Sequence, residues 1–329
     1  MTIEHAAAVR LVDIGRLEQV EVPMPVPAVG EVLIRVLSVG LCGSDAHWFE
    51  EGAIGDATIP PGGVVPGHEF CGVIESGPRI GERVAIDPGI SCLHCEQCVG
   101  GRLNLCLEMR FAGHGTTEGG LQQFVVWPER CLAPMPDNLS NEQGALLEPL
   151  GIALHALDLG ELAGGESVGI VGCGPIGLLL IKVLAARGVE SIAASEPLGH
   201  RMTAALGFGA VAWAEQGVGR LDVVFDCAGT DDSLHDSLSA VAPGGRVVLV
   251  GIPDHDRSTF QASLARRKEI TLRSCRRMFP DDLVRAAEMA GSGEVSLGGL
   301  VTDRFEMSAA TAAFQTLVAR TGIKIVVEP

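Results

Sequence analysis

Glu166-Ser167-Val168-Gly169-Ile170-Val171 runs directly into Gly172-Cys173-Gly174-Pro175-Ile176-Gly177, and a helical pattern from Leu178 to Arg187 follows. An apolar strand that turns through G-x-G-x-x-G into a helix opens a dinucleotide-binding βαβ unit. The first glycine permits the tight turn, the second lets a pyrophosphate approach the backbone, and the third lets the helix pack close on the strand. The glycine spacing alone is weak evidence. Glu196 strengthens it, because it closes the next strand, Ser191 to Ser195, about twenty residues past the glycines, where a carboxylate accepts hydrogen bonds from the adenosine ribose diol. A carboxylate there repels a 2′-phosphate, so NAD is expected over NADP, with Arg201 as the nearby residue able to soften that preference. The cofactor-binding candidates are therefore Gly172, Gly174, Pro175, Ile176, Gly177, Glu196 and Arg201, joined by Val250 and Ile252 at the end of a later strand.

Downstream, strands are expected at Leu221 to Asp226, Arg246 to Gly251 and Glu269 to Arg273, with a helix from Ser233 to Ala240 that Pro243-Gly244-Gly245 ends. This is an α/β, doubly wound Rossmann sheet with strand order 3-2-1-4-5-6. In that order the link after Ala210-Val211-Ala212-Trp213 must cross three strand spacings while returning along a strand, roughly 22 Å on the diagonal. Residues Ala214 to Arg220 reach ~25 Å extended but only about 10 Å as a helix, so an extended loop is expected.

Upstream, Ala7 to Leu11 and Glu31 to Val36 alternate like half-buried strands, the Pro-rich piece Val22 to Pro27 makes a connector, and Phe70 to Ile74 and Glu82 to Ile86 continue a β-rich domain resembling a small barrel. Helices are expected over Pro280 to Ala290 and Met307 to Ala319, before a last strand Ile323-Lys324-Ile325-Val326-Val327. That tail lacks a cofactor motif and is assigned back to the first domain. The resulting division is 1–150 for the first part of the β-rich domain, 151–276 for the dinucleotide domain and 277–329 for the remainder of the first.

Two clusters carry chemistry in the β-rich part. Cys92-x2-Cys95-x2-Cys98-x7-Cys106 has the spacing of a closed tetrahedral zinc site, and Gly100-Gly101 with polar Glu96, Gln97 and Asn104 describes a loop around it. An iron–sulfur cluster uses similar ligands and stays open on spacing alone. His94, between ligands, reads as a solvent-side residue. The second cluster is Cys42-Gly43-Ser44-Asp45-Ala46-His47, where a thiolate, a hydroxyl, a carboxylate and an imidazole fall within one short turn. Gly67-His68-Glu69 and Glu148 supply what it lacks. By itself His68-Glu69 reads as a surface pair; with Cys42 and Glu148 it makes a site. A zinc with an open position there would acidify a substrate hydroxyl and let hydride pass to the nicotinamide, and Ser44, a ribose hydroxyl and His47 form a plausible exit for the proton. His114, in Gly113-His114-Gly115, lies in a loop that could line the pocket but reads rather as flexible and solvated, His155 reads as a core histidine, and Cys71, Cys131, Cys173, Cys227 and Cys275 as small core residues.

The composition narrows the remaining classes. A chain of 329 residues, 47% apolar and 20% charged, suits two ordinary domains, each able to bury a core without disulfides. A net charge of −17 with no basic run disfavours nucleic acid, and no apolar run reaches the ~20 residues of a membrane helix. The N-terminus lacks the regions of a signal peptide, so the cytoplasm is expected, where ten cysteines stay reduced and a cluster reads as metal ligands.

Together, Cys42 to His47, Gly67-His68-Glu69, the four-cysteine run, Glu148-Pro149-Leu150 and Gly172 to Gly177 resemble the zinc-dependent medium-chain dehydrogenases, and within them the sorbitol (polyol) dehydrogenases. The resemblance spans nearly the whole chain in the same order. It implies a GroES-like catalytic domain split around a Rossmann domain, one catalytic and one structural zinc, NAD, a small-molecule alcohol as partner, and a homodimer or homotetramer. It also implies catalytic-zinc ligands at Cys42 and His68 with Glu69 or Glu148, structural ligands at Cys92, Cys95, Cys98 and Cys106, and Asp45 as the acceptor that orients His68. Trp48 stands where sorbitol dehydrogenase presents a tyrosine, and the chain has no tyrosine. Trp48 and Phe111 would then give flat walls and Arg277 a donor to substrate. The expected reaction is oxidation of a secondary alcohol (a polyol, cyclitol or amino sugar) to a ketone, with L-threonine or another amino alcohol as the alternative substrate. Outside the class stands a non-catalytic zinc-binding interaction protein, which would need a basic or apolar face on Ser91 to Leu107.

Overall fold

The computed structural model describes residues 4–55, 57–216, 220–253 and 257–329. It divides into two compact units, one of residues 1–148, 279–293 and 300–329, the other of 149–278 and 294–299.

The first unit is organised on a seven-stranded sheet. Leu132–Pro134, Arg83–Ile86, Glu69–Ile74, Glu31–Gly40, Lys324–Glu328 and Val301–Glu306 lie side by side in that order, and Phe124–Pro128 also pairs with Glu31–Gly40. Glu31–Gly40 alternates inward Val32, Ile34 and Val36 with more exposed neighbours, so its inner face meets Ile74, Ile86 and Val327 in one core. The C-terminal strand enters this sheet antiparallel to Glu31–Gly40, pairing Val326 with Gly40 and Val327 with Val39. On the other side Glu69 pairs with Gly40. The ends of three chain segments therefore converge at one glycine.

The second unit carries a parallel sheet in the order Val211–Ala212, Ile192–Ser195, Val168–Val171, Leu221–Asp226, Val241–Leu249, Thr271–Ser274. This is the expected 3-2-1-4-5-6 order. The link after Val211–Ala212 departs from expectation: Trp213–Gln216 is a helical turn, while 217–219 lie outside the described residues. The Trp213 indole packs where a side chain on Gly169 would stand, 2.8 Å from a Cβ built there, which anchors the turn against the sheet. A second departure is at Pro243-Gly244-Gly245. The helix Asp231–Ala240 stops at Ala240, and the strand starts at once at Val241, with a register shift absorbing the glycines. Among the described residues no helix is long and apolar enough to cross a membrane.

Candidate active site

Cys42 is the N-cap of the helix Gly43–Glu51, so the expected turn is a helix start. Its backbone N–H donates to Asp45 Oδ2 at 2.9 Å, a capping arrangement that fixes the first turn and with it Ser44 and His47. His68 and Glu69 arrive from the sheet, at the beginning of Glu69–Ile74. One donor atom each from Cys42, His68 and Glu69 lies within 4.8 Å of the other two. Ser44 Oγ is 3.5 Å from His68 Nε2, and Asp45 Oδ1 faces His68 Nδ1 at 3.9 Å, an electrostatic approach longer than a hydrogen bond. His47 Nδ1 is 3.2 Å from Glu51 Oε1 on the outer side of the same helix.

The electrostatics of this cluster are those of a cation site. Burial works to lower the His68 pKa, but Asp45, Cys42 and Glu148 outweigh it and raise it to about 10. Glu148, buried at the start of the helix Leu147–Gly160, is pushed up to about 8 by desolvation and then by the charge of Glu69, against the attraction of His68 and Lys324. Acidic side chains outnumber basic ones there, Cys42, Asp45, Glu69 and Glu148 against His68 and Lys324, an imbalance that a cation would offset. The thiolate, imidazole and carboxylate donor set suits zinc. Of the two carboxylates left open by the sequence, Glu69 is grouped with Cys42 and His68, while Glu148 lies outside that group of three.

The four cysteines come together as the spacing predicts. Cys92 Sγ to Cys98 Sγ is 3.9 Å and Cys95 Sγ to Cys106 Sγ is 4.0 Å, and all four are free thiols. A tetrahedron with zinc–sulfur bonds of ~2.3 Å has edges of roughly 3.8 Å, so these separations fit such an ion. Backbone N–H groups of Cys95 and Cys92 already point at the sulfurs of Cys92 and Cys106. Hydrogen bonding from the Leu107 and Cys98 backbone pulls the Cys95 thiol down to about 6. His94 is an outer residue, paired with Glu108 at 3.5 Å.

Two expectations about the pocket change. Trp48 is 1% exposed and belongs to the core of its unit, so it supplies packing and not an open flat wall. Its ring meets His114 edge-on, with centroids 5.4 Å apart. His114 is accordingly no solvated loop residue. It packs against Phe111 at 5.0 Å and stands 6.0 Å from the His68 ring, with Nδ1 3.1 Å from Ala112 O. Phe111 also lies beside His68, at 5.4 Å. Sequence reasoning missed the part played by His114 and by Lys324. The second had a signal: a lysine inside the apolar run Ile323 to Val327, where half the positions face a core.

In the second unit the glycine turn has the anatomy expected of a dinucleotide loop. Gly172 sits at φ +87°, and a Cβ on Gly177 would lie 2.1 Å from Gly172 O, so both positions require glycine. Gly174 N-caps the helix Pro175–Ala186 and is open apart from Arg201 Nη1, 3.6 Å from a Cβ built there. Ile176 is half-buried in the first turn of that helix. Glu196 is held in place by the N–H groups of Cys173, at 2.7 Å, and Leu198, at 2.9 Å. Val250 and Ile252 follow the strand Val241–Leu249, half-buried and exposed respectively. Arg277, also in this unit, adopts φ +55°, a conformation that costs a non-glycine residue. His155 is buried on its helix. Cys71, Cys131 and Cys173 are buried and Cys227 and Cys275 partly so.

Comparison with known proteins agrees with this anatomy. The alcohol dehydrogenase GroES-like domain matches residues 28–137, and the zinc-binding dehydrogenase family matches 175–292. The protein named "Probable D-xylulose reductase A" from Aspergillus fumigatus (strain CBS 144.89 / FGSC A1163 / CEA10) is 35% identical over 321 residues, covering 90% of this chain and 89% of its own. A Sinorhizobium meliloti 1021 structure bound to NADP superposes with a TM-score of 0.88 at 28% identity, over 99% of each chain. An Escherichia coli CFT073 alcohol dehydrogenase complexed with NADH superposes with a TM-score of 0.89 at 25% identity, over 99% of this chain and 100% of that one. The chain belongs to the zinc-dependent medium-chain dehydrogenase family, whose members are alcohol dehydrogenases with a GroES-like catalytic part and a Rossmann part.

Proposed function

We propose that the chain oxidises a secondary alcohol flanked by further polar groups, a polyol, cyclitol or amino sugar, to the ketone, with zinc and with NAD as hydride acceptor. The observation that carries this reading is the group of half-buried Cys42 and buried His68 and Glu69, with the Glu148 carboxyl beside it. Zinc held by Cys42, His68 and Glu69 or Glu148 supplies Lewis acidity to the substrate hydroxyl. Ser44 Oγ, next to His68, would take the hydroxyl proton as it gives up its own to a ribose hydroxyl, and His47, linked to Glu51 at the outer side of the same helix, would exchange the relayed proton with water. Glu148 presents a carboxyl where an apolar alcohol has no use for one, and the polyol-related name of the Aspergillus relative points the same way. Phe111, against His68, gives a flat apolar surface that favours a ring over an extended chain, and Arg277 is assigned as a donor to a neighbouring hydroxyl. Glu196, held by two N–H groups, is the residue that favours the ribose diol of NAD, and Arg201 is its counterweight. A second zinc is assigned to the four cysteines, where all corners are filled and its role is structural. The chain is proposed to act in the cytoplasm as a homodimer or homotetramer.

The test is turnover of a cyclitol and amino-cyclitol series against 2-propanol and cyclohexanol, followed by absorbance of the reduced cofactor and run with NAD and NADP in parallel. A site built to hydrogen-bond a flanking hydroxyl discriminates on the order of 10^4 in kcat/KM, with NAD preferred. Equal use of the plain alcohols would contradict the substrate class, and a clear NADP preference would mean that Arg201 governs the ribose site. Arg277→Ala with unchanged kinetics on the best polyol would remove that residue's role.

A further inference from the structure

Lys324 and Glu69 are each 1% exposed, and their side chains form an ion pair inside the first unit. The Lys324 ammonium also donates to Leu41 O at 3.0 Å. The sheet explains how two such groups meet. Glu69 lies opposite Gly40 on one side of the central strand, and Val326, two residues past Lys324, pairs with Gly40 on the other. A Cβ on Gly40 would sit 2.4 Å from Glu69 Oε2, so the missing side chain leaves the space in which carboxylate and ammonium approach. If Leu41 O alone required a partner, a neutral donor would serve. A buried ammonium is costly unless its charge is used.

We propose that Lys324 is a positioning residue for the candidate metal centre: its ammonium competes for the Glu69 carboxylate and so sets how firmly that carboxylate engages the metal. The inference rests on the metal-binding reading of Cys42, His68 and Glu69 given above. Carboxylate lone pairs donated to Lys324 are withdrawn from any ion beside Cys42 and His68. This keeps Glu69 exchangeable, so the centre can open a position for substrate. Removing the charge should close it.

The experiment uses the full chain loaded with cobalt(II) in place of zinc, reading the visible bands of each site and the rate of metal loss to dipicolinate. Lys324→Met should slow release from the Cys42 site on the order of tenfold. It should shift the bands of that site and leave the four-cysteine site unchanged as an internal control. Lys324→Arg should restore native behaviour, and in a Glu69→Gln background Lys324→Met should have no further effect. Lys324→Gln, which keeps hydrogen bonding without the charge, is read in the same way if the methionine variant does not fold. Unchanged spectra and release, faster loss from both sites, or an effect that persists without the Glu69 carboxylate would each overturn the proposal. Native protein whose four cysteines bind cobalt while Cys42 and His68 do not would instead overturn the metal-binding reading, and this inference with it.

Discussion

Cys92, Cys95, Cys98 and Cys106 draw four like donors from a single fifteen-residue stretch, whereas Cys42, His68 and Glu69 draw three unlike donors from a helix N-cap and the start of a sheet strand. Around the first group the nearby charges are outward, as in the His94 and Glu108 pair. Around the second they are buried: Asp45, Glu148 and Lys324 all act on it from inside. A closed set of thiolates needs only geometry, and local backbone N–H groups supply it. A cluster of unlike donors drawn from separate elements and surrounded by buried charges has no local backbone to place it, and its assembly requires the tertiary fold.

This contrast is open to test from both sides. Cys95→Ser should have the largest effect on structure, because the segment from Cys92 to Cys106 packs mainly on its own sulfurs, with Leu103 and Met109 as partly buried neighbours. Limited proteolysis should then cut within that segment while the remaining chain stays protected, since structural zinc sites contribute folding energy outright. A protease-resistant segment without metal would remove the distinction between the two clusters. Ser44→Ala leaves the metal ligands in place and should lower kcat by about a hundredfold near neutral pH, as general acid–base groups do. Retention of full kcat would show that the proton leaves by another route. The smallest effect is expected for His94→Ala, whose exposed pairing with Glu108 lies at the rim of the closed cluster. Metal content and thermal stability should match the native protein, and loss of metal would mean that the outer charges matter there too.

How far these regions could be read from the sequence follows the same division. The four-cysteine cluster is legible because spacing alone sets its geometry, and the glycine turn because φ > 0 and close helix approach admit few other residues. Gly67-His68-Glu69 and Cys42 are identifiable as a site, yet which carboxylate joins them depends on a sheet register that pairs Glu69 with Gly40. Lys324 is far from every motif in sequence and reaches Glu69 only because the C-terminal strand returns beside Glu31–Gly40. His114 was misread for a related reason. Its glycine neighbours describe a loop correctly but do not reveal that Trp48 and Phe111 pack against it. The helical turn Trp213–Gln216 shows a limit of another kind, since the length argument treated the link as one conformation and the packing of Trp213 over Gly169 is a tertiary contact.

We expect this chain to hold two metal ions of different kinds and to use one of them to oxidise a polyol. Metal content per chain, measured together with polyol-dependent NAD reduction on native protein and on Cys42→Ala, tests it most directly. The expected result is a zinc ratio of about two for native protein and about one for Cys42→Ala, with turnover falling on the order of a thousandfold or more while the fold is retained. A ratio near one in both proteins, or a Cys42→Ala variant that still turns over polyol, would contradict it.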